Sequence, residues 1–414
     1  TNGKSSPPAR AQLAQCAHPV SKVVTPGCGG RQHPFPLTPP LMVPRVRRPS
    51  CSFVTDVHVA GDAAYICDER TKGRCAAVRG CGENATPMHD IRHGGTVDQQ
   101  PSEQGFLVHD ARKAGKSRRW IDGEQFDRPF HGVRAPRVDD ADADADDFEL
   151  ARQQILRSAS HWSLHMHRTE YFSHLTAAII WGLPLPAWGA LSRELHVSSP
   201  GRATRVQGAI GHQVRPSLVT IVTDPKHGLR VTDPAATWAM LAVVLRHPYD
   251  VVAVGDAIVR TPRIPGPNGR VEHPPLGSIA GLAAAMMAGR RVGVRTLRDA
   301  LPLVRPGAAS RPETWARLTL VHAGLPEPLL DFDVYDDRGT FVGCVDLVYP
   351  EWKIAIEYEG DQHRTDPVQW QRDIEKHEKL ADIGWRVVRV PRNQLFLEPG
   401  VFIGRVRALL RSRG

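Results

Sequence analysis

Cysteine is scarce over most of this sequence: of 7 in 414 residues, only Cys344 lies beyond residue 81. A fold stapled throughout by disulfides is therefore excluded. The six early cysteines (Cys16, Cys28, Cys51, Cys67, Cys75 and Cys81) contain no CxxC pair, which argues against a zinc ribbon. His18, His33, His58, His89 and His93 lie among them and leave metal binding open there. No apolar run is long enough for a membrane-spanning helix, so no membrane partner is expected. No basic opening followed by an apolar stretch begins the chain, so no secretory leader is expected. The expected location is cytoplasmic. The chain starts at Thr1 and its first methionine is Met42, as in a processed, trimmed or partial chain, or one started too far upstream.

What is present is ordinary globular usage, 41% hydrophobic and 23% charged, which excludes a coiled coil or a wholly disordered chain. A formal net charge of +9 favours a polyanionic partner. Residues 1–102 are rich in Pro, Gly, Ser and Arg and show no sustained period, so a disordered or non-native extension is expected. Periodicity predicts a helix over 106–115, closed by Gly115, and a second over 118–122, capped by Ser117. A strand is predicted over 126–133. Two short helices and a strand around a glycine turn suggest a winged helix-turn-helix. The acidic run 139–147 reads as a solvated linker or the flank of a helix N-terminus, with metal binding as the other reading.

Helices are expected over 173–182, 235–245, 251–259, 279–288 and 294–303, and strands over 195–198 and 218–222. Residues 262–275, rich in Pro and Gly, read as a linker. His174, inside a capped helix, reads as a structural rather than a catalytic histidine, and Trp181 and Trp238 read as core.

The last hundred residues carry the chemistry. Pro312 opens a helix with Glu313 in its first turn, and Gly324 ends it. Strands follow over 332–335, 341–348 and 353–359, then a helix over 367–382, a strand over 385–390 and a helix over 401–410. Glu357 and Glu359 are two apart on one strand and point to one face, with Asp346 on the neighbouring strand of a hairpin. Converging carboxylates repel one another, and a hard divalent cation, Mg²⁺ or Mn²⁺, relieves that cost. Such an ion can activate water for phosphodiester cleavage. His363, just past the strand, is placed to shuttle a proton or touch a phosphate, and Glu313 to complete the metal shell. The alternative for each acid is a solvated residue paired with Lys353, Arg364 or Arg372.

Asp346, then Ile356-Glu-Tyr-Glu-Gly-Asp-Gln-His363, Arg372-Asp373 and Gly384-Trp-Arg-Val-Val-Arg389, resemble the very-short-patch-repair-like (Vsr-like) endonuclease domain of the PD-(D/E)XK superfamily. The resemblance covers about 309–414. It implies catalytic roles for Asp346, Glu357, Glu359, His363 and Glu313, with Asp346, Glu357 and Glu313 on the metal. The superfamily usually has Lys where this chain has Glu359; the resemblance lets His363 stand in for it. Upstream, Ala111-Arg-Lys-Ala-Gly115, Phe126-Asp-Arg-Pro-Phe-His-Gly-Val133 and the segment 172–186 are similar to AbiEi-type antitoxins, which pair a winged helix with a second domain and repress transcription.

The expected fold is therefore α+β and multidomain. It has a winged helix-turn-helix over 103–137, a small α+β domain over 148–262 and a linker with helices over 263–308. A restriction-endonuclease-like α/β core, a mixed sheet flanked by helices, follows over 309–414. DNA is the expected partner, through Lys113, Lys116, Arg118, Arg119, Arg364, Arg372, Arg389 and Arg392. The expected activity is a metal-dependent DNA endonuclease or nickase. The alternative is an antitoxin-like regulator with an inactive nuclease-like domain. A homodimer and a toxin or repair partner complete the expectations.

Overall fold

The computed structural model describes residues 105–137, 146–267, 269–360 and 367–414, with side chains from residue 371 in the last stretch. The disorder expected over 1–102 and most of the acidic run lie outside the described residues. The architecture is mixed α/β, with three sheets among the described residues, two of them mixed and flanked by helices. No helix among them is long and apolar enough to cross a membrane.

The first sheet is small and antiparallel, in the order β1-β3-β2, from β1 (Phe106–Leu107), β2 (Phe126–Asp127) and β3 (Val133–Pro136). Helices α1 (Val108–Lys113) and α2 (Arg118–Ile121) connect β1 to β2. The helix predicted over 106–115 thus loses its first two residues to a strand. Phe106 packs against Trp120 and Phe126, with ring centroids 5.3 and 5.0 Å apart, and that packing outweighs helical spacing. Ser117 accepts from Trp120 N at 3.2 Å, the expected cap. The single strand predicted over 126–133 is two strands, because the chain turns between them with Gly132 at φ 76°.

Asp146, next to last in the acidic run, caps α3 (Asp147–Ser163) by accepting from Glu149 N at 2.7 Å. The second sheet has the order β6-β5-β4-β8-β7. Its strands are β4 (Tyr171–Phe172), β5 (Leu195–Ser199), β6 (Ala209–Gln213), β7 (Ile221–Thr223) and β8 (Arg230–Thr232). The strand predicted over 218–222 starts late, because Pro216 sets a 3-10 turn over Pro216–Leu218. α4 (His174–Ile180) and α5 (Ala187–Ala190) lie between β4 and β5. Phe172, Leu195, Val197 and Val231 meet Ile155, Ala159 and Trp162 of α3 in one apolar layer.

α6 (Pro234–Leu241), α7 (Pro248–Val259), α8 (Ile279–Met287), α9 (Val294–Ala300) and α10 (Arg311–His322) follow. The segment 263–308 does more than connect. Leu282, Leu297 and Val304 share a core with Trp238, Val251 and Ile258, and this core reaches Leu318 of α10. Trp238 is fully buried and its indole donates to Val251 O at 2.9 Å. Arg263 anchors the Pro/Gly-rich stretch by binding Asp331 and Asp333 at 2.9 and 2.8 Å.

The last sheet has the order β12-β11-β10-β9. β9 (Leu329–Tyr335), β10 (Phe341–Tyr349) and β11 (Ile354–Glu359) are antiparallel neighbours, and β12 (Arg386–Pro391) runs parallel to β11. α11 (Pro367–Asp382) links β11 to β12; α12 (Arg392–Phe396) and α13 (Pro399–Arg413) close the chain. Ile354 and Ile356 pack with Leu320, Phe402 and Val406. Ala355 packs with Leu380 of α11. β11 is thus apolar on both faces until Glu357, as a central strand should be.

Candidate functional site

Register and helix docking bring the acids together. Leu347 pairs with Ile356, so one further step places Asp346 opposite Glu357, and opposite residues share a face. The Tyr358 amide donates to Asp346 Oδ2 at 3.1 Å, which holds that carboxylate against β11. Glu313 enters from the first turn of α10. It completes a capping box with Ser310: Glu313 N donates to Ser310 Oγ at 3.4 Å, while Ser310 Oγ and Ala309 N donate to the Glu313 carboxylate at 2.8 and 2.7 Å. Burial, and then the charge of Asp346, push the Glu313 carboxyl up to about 8. Two carboxyls opposing each other inside the fold are what a divalent cation relieves. Carboxylate oxygens are the donors Mg²⁺ or Mn²⁺ prefers, although Glu313, Asp346 and Glu357 do not each bring an oxygen within 4.8 Å of the others.

Lys376 and His377 meet Glu357 from α11. Lys376 Nζ lies 2.5 Å from Oε1 as an ion pair, and His377 Nε2 lies 2.5 Å from Oε2. Burial opposes ionisation of Glu357, but His377 and Lys376 outweigh it and hold the carboxyl below its ordinary range. Burial likewise disfavours the Lys376 ammonium, but Glu357, Asp346 and Asp373 raise it above its usual value. Room for the lysine comes from Gly343 on β10, where an added Cβ would stand 2.7 Å from Lys376 Cδ. Neither Lys376 nor His377 was expected from the sequence. The signal was spacing: Asp373, Lys376 and His377 lie three and four apart on α11, and Leu380, four past Lys376, faces the sheet.

The other expected residues are dispersed. Glu359 pairs with Arg389 of β12 at 2.6 Å. His363 and Arg364 lie outside the described residues. Arg372 is exposed on α11. Arg392 and Glu359 line a cleft of about 780 Å³ with Trp188, Arg246, Arg311 and Trp315. Arg246 stacks over Trp188 at 5.1 Å, and Arg311 over Trp315 at 4.9 Å while binding Asp250 at 2.7 Å. On α1 and α2 Lys113 and Arg119 are exposed and Arg118 stands 3.6 Å from Asp122, while Lys116 in the turn between them lies 5.1 Å over Trp120.

A second polar cluster sits on the middle sheet. His174, His196 and His212 bring ring nitrogens within 4.8 Å of one another. Burial, reinforced by the neighbouring imidazoles, pushes His174 down to about 2 and His196 to about 4. Burial also lowers His212.

Among known proteins the chain is similar to the uncharacterized proteins Rv2248 and MT2308 of two Mycobacterium tuberculosis strains. Each is 30% identical over 240 residues, covering 58% of this chain and 80% of the relative. The chain belongs to the family of these mycobacterial proteins. No protein-family profile matches the sequence, and no solved structure matches it.

Proposed function

We propose that this protein is a metal-dependent DNA endonuclease or nickase of the cytoplasm, with a PD-(D/E)XK, Vsr-like catalytic core at its C-terminal end. The observation that carries this reading is Asp346 opposite Glu357 on neighbouring strands, with Lys376 and His377 on the Glu357 carboxylate and Glu313 entering from α10. Glu313, Asp346 and Glu357 would hold a Mg²⁺ or Mn²⁺ ion, which when bound lowers the pKa of water and stabilises charge on a phosphodiester. Lys376 supplies, from a helix, the ammonium that the strand lacks at Glu359. There it can orient an attacking water or stabilise phosphate charge. His377, within reach of the same carboxylate, is placed to carry a proton. Glu359 then serves through Arg389, holding that guanidinium at the strand end. The cationic and aromatic cleft beside Glu359 offers surface for a nucleic-acid strand. The β1-α1-α2-β2-β3 region acts as the winged helix that docks duplex DNA, using Lys113, Lys116, Arg118 and Arg119 on phosphates.

One observation favours a second reading. Glu357 is paired with Lys376 and hydrogen-bonded to His377 at both of its oxygens. In that reading the protein is an antitoxin-like DNA-binding regulator with an inert core. A plasmid-cleavage assay at low salt separates the two. Nicking that requires Mg²⁺ or Mn²⁺, stops with EDTA and disappears in Asp346→Ala supports the nuclease. DNA binding without nicking under either metal supports the regulator.

A further inference from the structure

We propose that His174, His196 and His212 form a binding site for a divalent transition metal of the Zn²⁺ class. It is separate from the carboxylate site and independent of the nuclease reading. Strand geometry assembles it. His196 and Ser198 lie two apart on β5 and share a face, and His212 of β6 pairs with Ser198 on that same face. Leu195 and Val197 point the other way, into the apolar layer. His174 opens α4 directly after β4, which pairs with β5 through Tyr171 and Phe172.

The rings stack as they stand, and rotating them out of the stack would turn their nitrogens onto one metal. His196 Nδ1 and His212 Nε2 are 3.0 Å apart. The His174 ring stacks on His212 with centroids 4.0 Å apart. Tetrahedral zinc with bonds of about 2.0–2.1 Å keeps its donors about 3.4 Å from one another. The cluster contains no carboxylate and no thiol. An all-imidazole set selects Zn²⁺ and its borderline neighbours over Mg²⁺ or Ca²⁺.

Two further features point the same way. Ser173 Oγ lies 2.9 Å from His174 Nδ1, and Ser198 Oγ lies 2.6 Å from Ser173 Oγ. With Nδ1 donating into this hydroxyl chain, Nε2 is the nitrogen left for a metal, the usual support of a metal-bound histidine. His174 also holds a left-handed backbone, φ 49°, which a non-glycine residue adopts at a cost. Such strain at a buried polar side chain marks a position held for its side chain. Three imidazoles leave a fourth coordination position open, on the side of His212, the least buried of them.

The test uses the full chain, stripped with EDTA, dialysed and titrated with Co²⁺ while visible absorption is recorded; bound zinc is measured separately by mass spectrometry. Wild type, His212→Gln, His174→Gly and Asp346→Ala are compared. His212→Gln keeps a polar side chain on an edge strand, and His174→Gly suits the left-handed backbone, so both variants retain the fold. The expected result is a tetrahedral Co²⁺ spectrum that saturates near one equivalent in wild type and Asp346→Ala and is lost in both histidine variants. Zinc should raise the melting temperature of wild type but not of His212→Gln. The difference spectrum between wild type and His212→Gln separates this site from any metal on the cysteines of residues 16–81. Identical Co²⁺ spectra and zinc contents in wild type and both histidine variants would overturn the proposal and leave a packed histidine cluster.

Discussion

Two buried charge clusters in this molecule solve opposite problems. Asp256 of α7 is fully buried, and although burial raises its carboxyl, the polar groups around it are donors. Arg317 binds it at 3.0 Å, Thr314 Oγ1 donates at 2.8 Å and Arg305 N at 2.6 Å. Arg317 also reaches Leu303 O and Glu327, so one guanidinium ties α7, α10 and the turn before residue 304 together. Glu313, four residues before Arg317, also has donors, Ser310 Oγ and Ala309 N, but faces the charge of Asp346 rather than a guanidinium. A buried acid ringed by donors holds a fold together. A buried acid facing another acid is retained at a cost to stability, which is a mark of a functional site.

The largest expected effect breaks the first cluster. Arg317→Ala leaves Asp256 and Glu327 without their shared cation and should cost about 3–5 kcal/mol in denaturant unfolding. Next, Lys376→Met should lower metal-dependent cleavage at least about 100-fold, the scale of losing one transition-state charge partner, with DNA affinity kept. Gly343→Val removes no charge but fills the space of the Lys376 stem. It should cut cleavage about 10-fold or more in single-turnover assays, and unchanged turnover would mean that the lysine position is unimportant. The smallest effect concerns pH. Burial disfavours the Asp333 charge, but Arg263 and the Gly266 amide overcome it and hold the carboxyl below its ordinary range. A depressed acid stabilises the fold above its unfolded pKa, and that stability is lost as pH falls through the folded value. Arg263→Gln should therefore flatten the acid limb of the stability profile below about pH 4 while lowering stability at neutral pH.

Apart from α12, which was not expected, the sequence disclosed the C-terminal elements to within a few residues, because glycines, caps and period agreed there. Ser310 and Gly324 bound α10, and Ile354 and Ile356 alternate with the acids that follow. Asp346 and Glu357 were legible for the same reason: strand period and a hairpin fix which side chains meet. Lys376 and His377 were not, since their place depends on how α11 docks on the sheet. The histidine cluster was hidden more deeply. Its members lie on elements far apart in sequence, and β4 and β8 are too short to show a period. His174 read alone as structural, because nothing local announces His196 or His212.

The most direct measurement is the melting temperature of wild type and Asp346→Asn, each with EDTA and with Mn²⁺. Asparagine keeps an oxygen for the Tyr358 amide and removes the charge that opposes Glu313. If these acids form a cation site, Asp346→Asn melts higher than wild type in EDTA, and Mn²⁺ reverses the order by stabilising wild type alone. The same order with and without Mn²⁺ would contradict the cation site, and with it the nuclease reading.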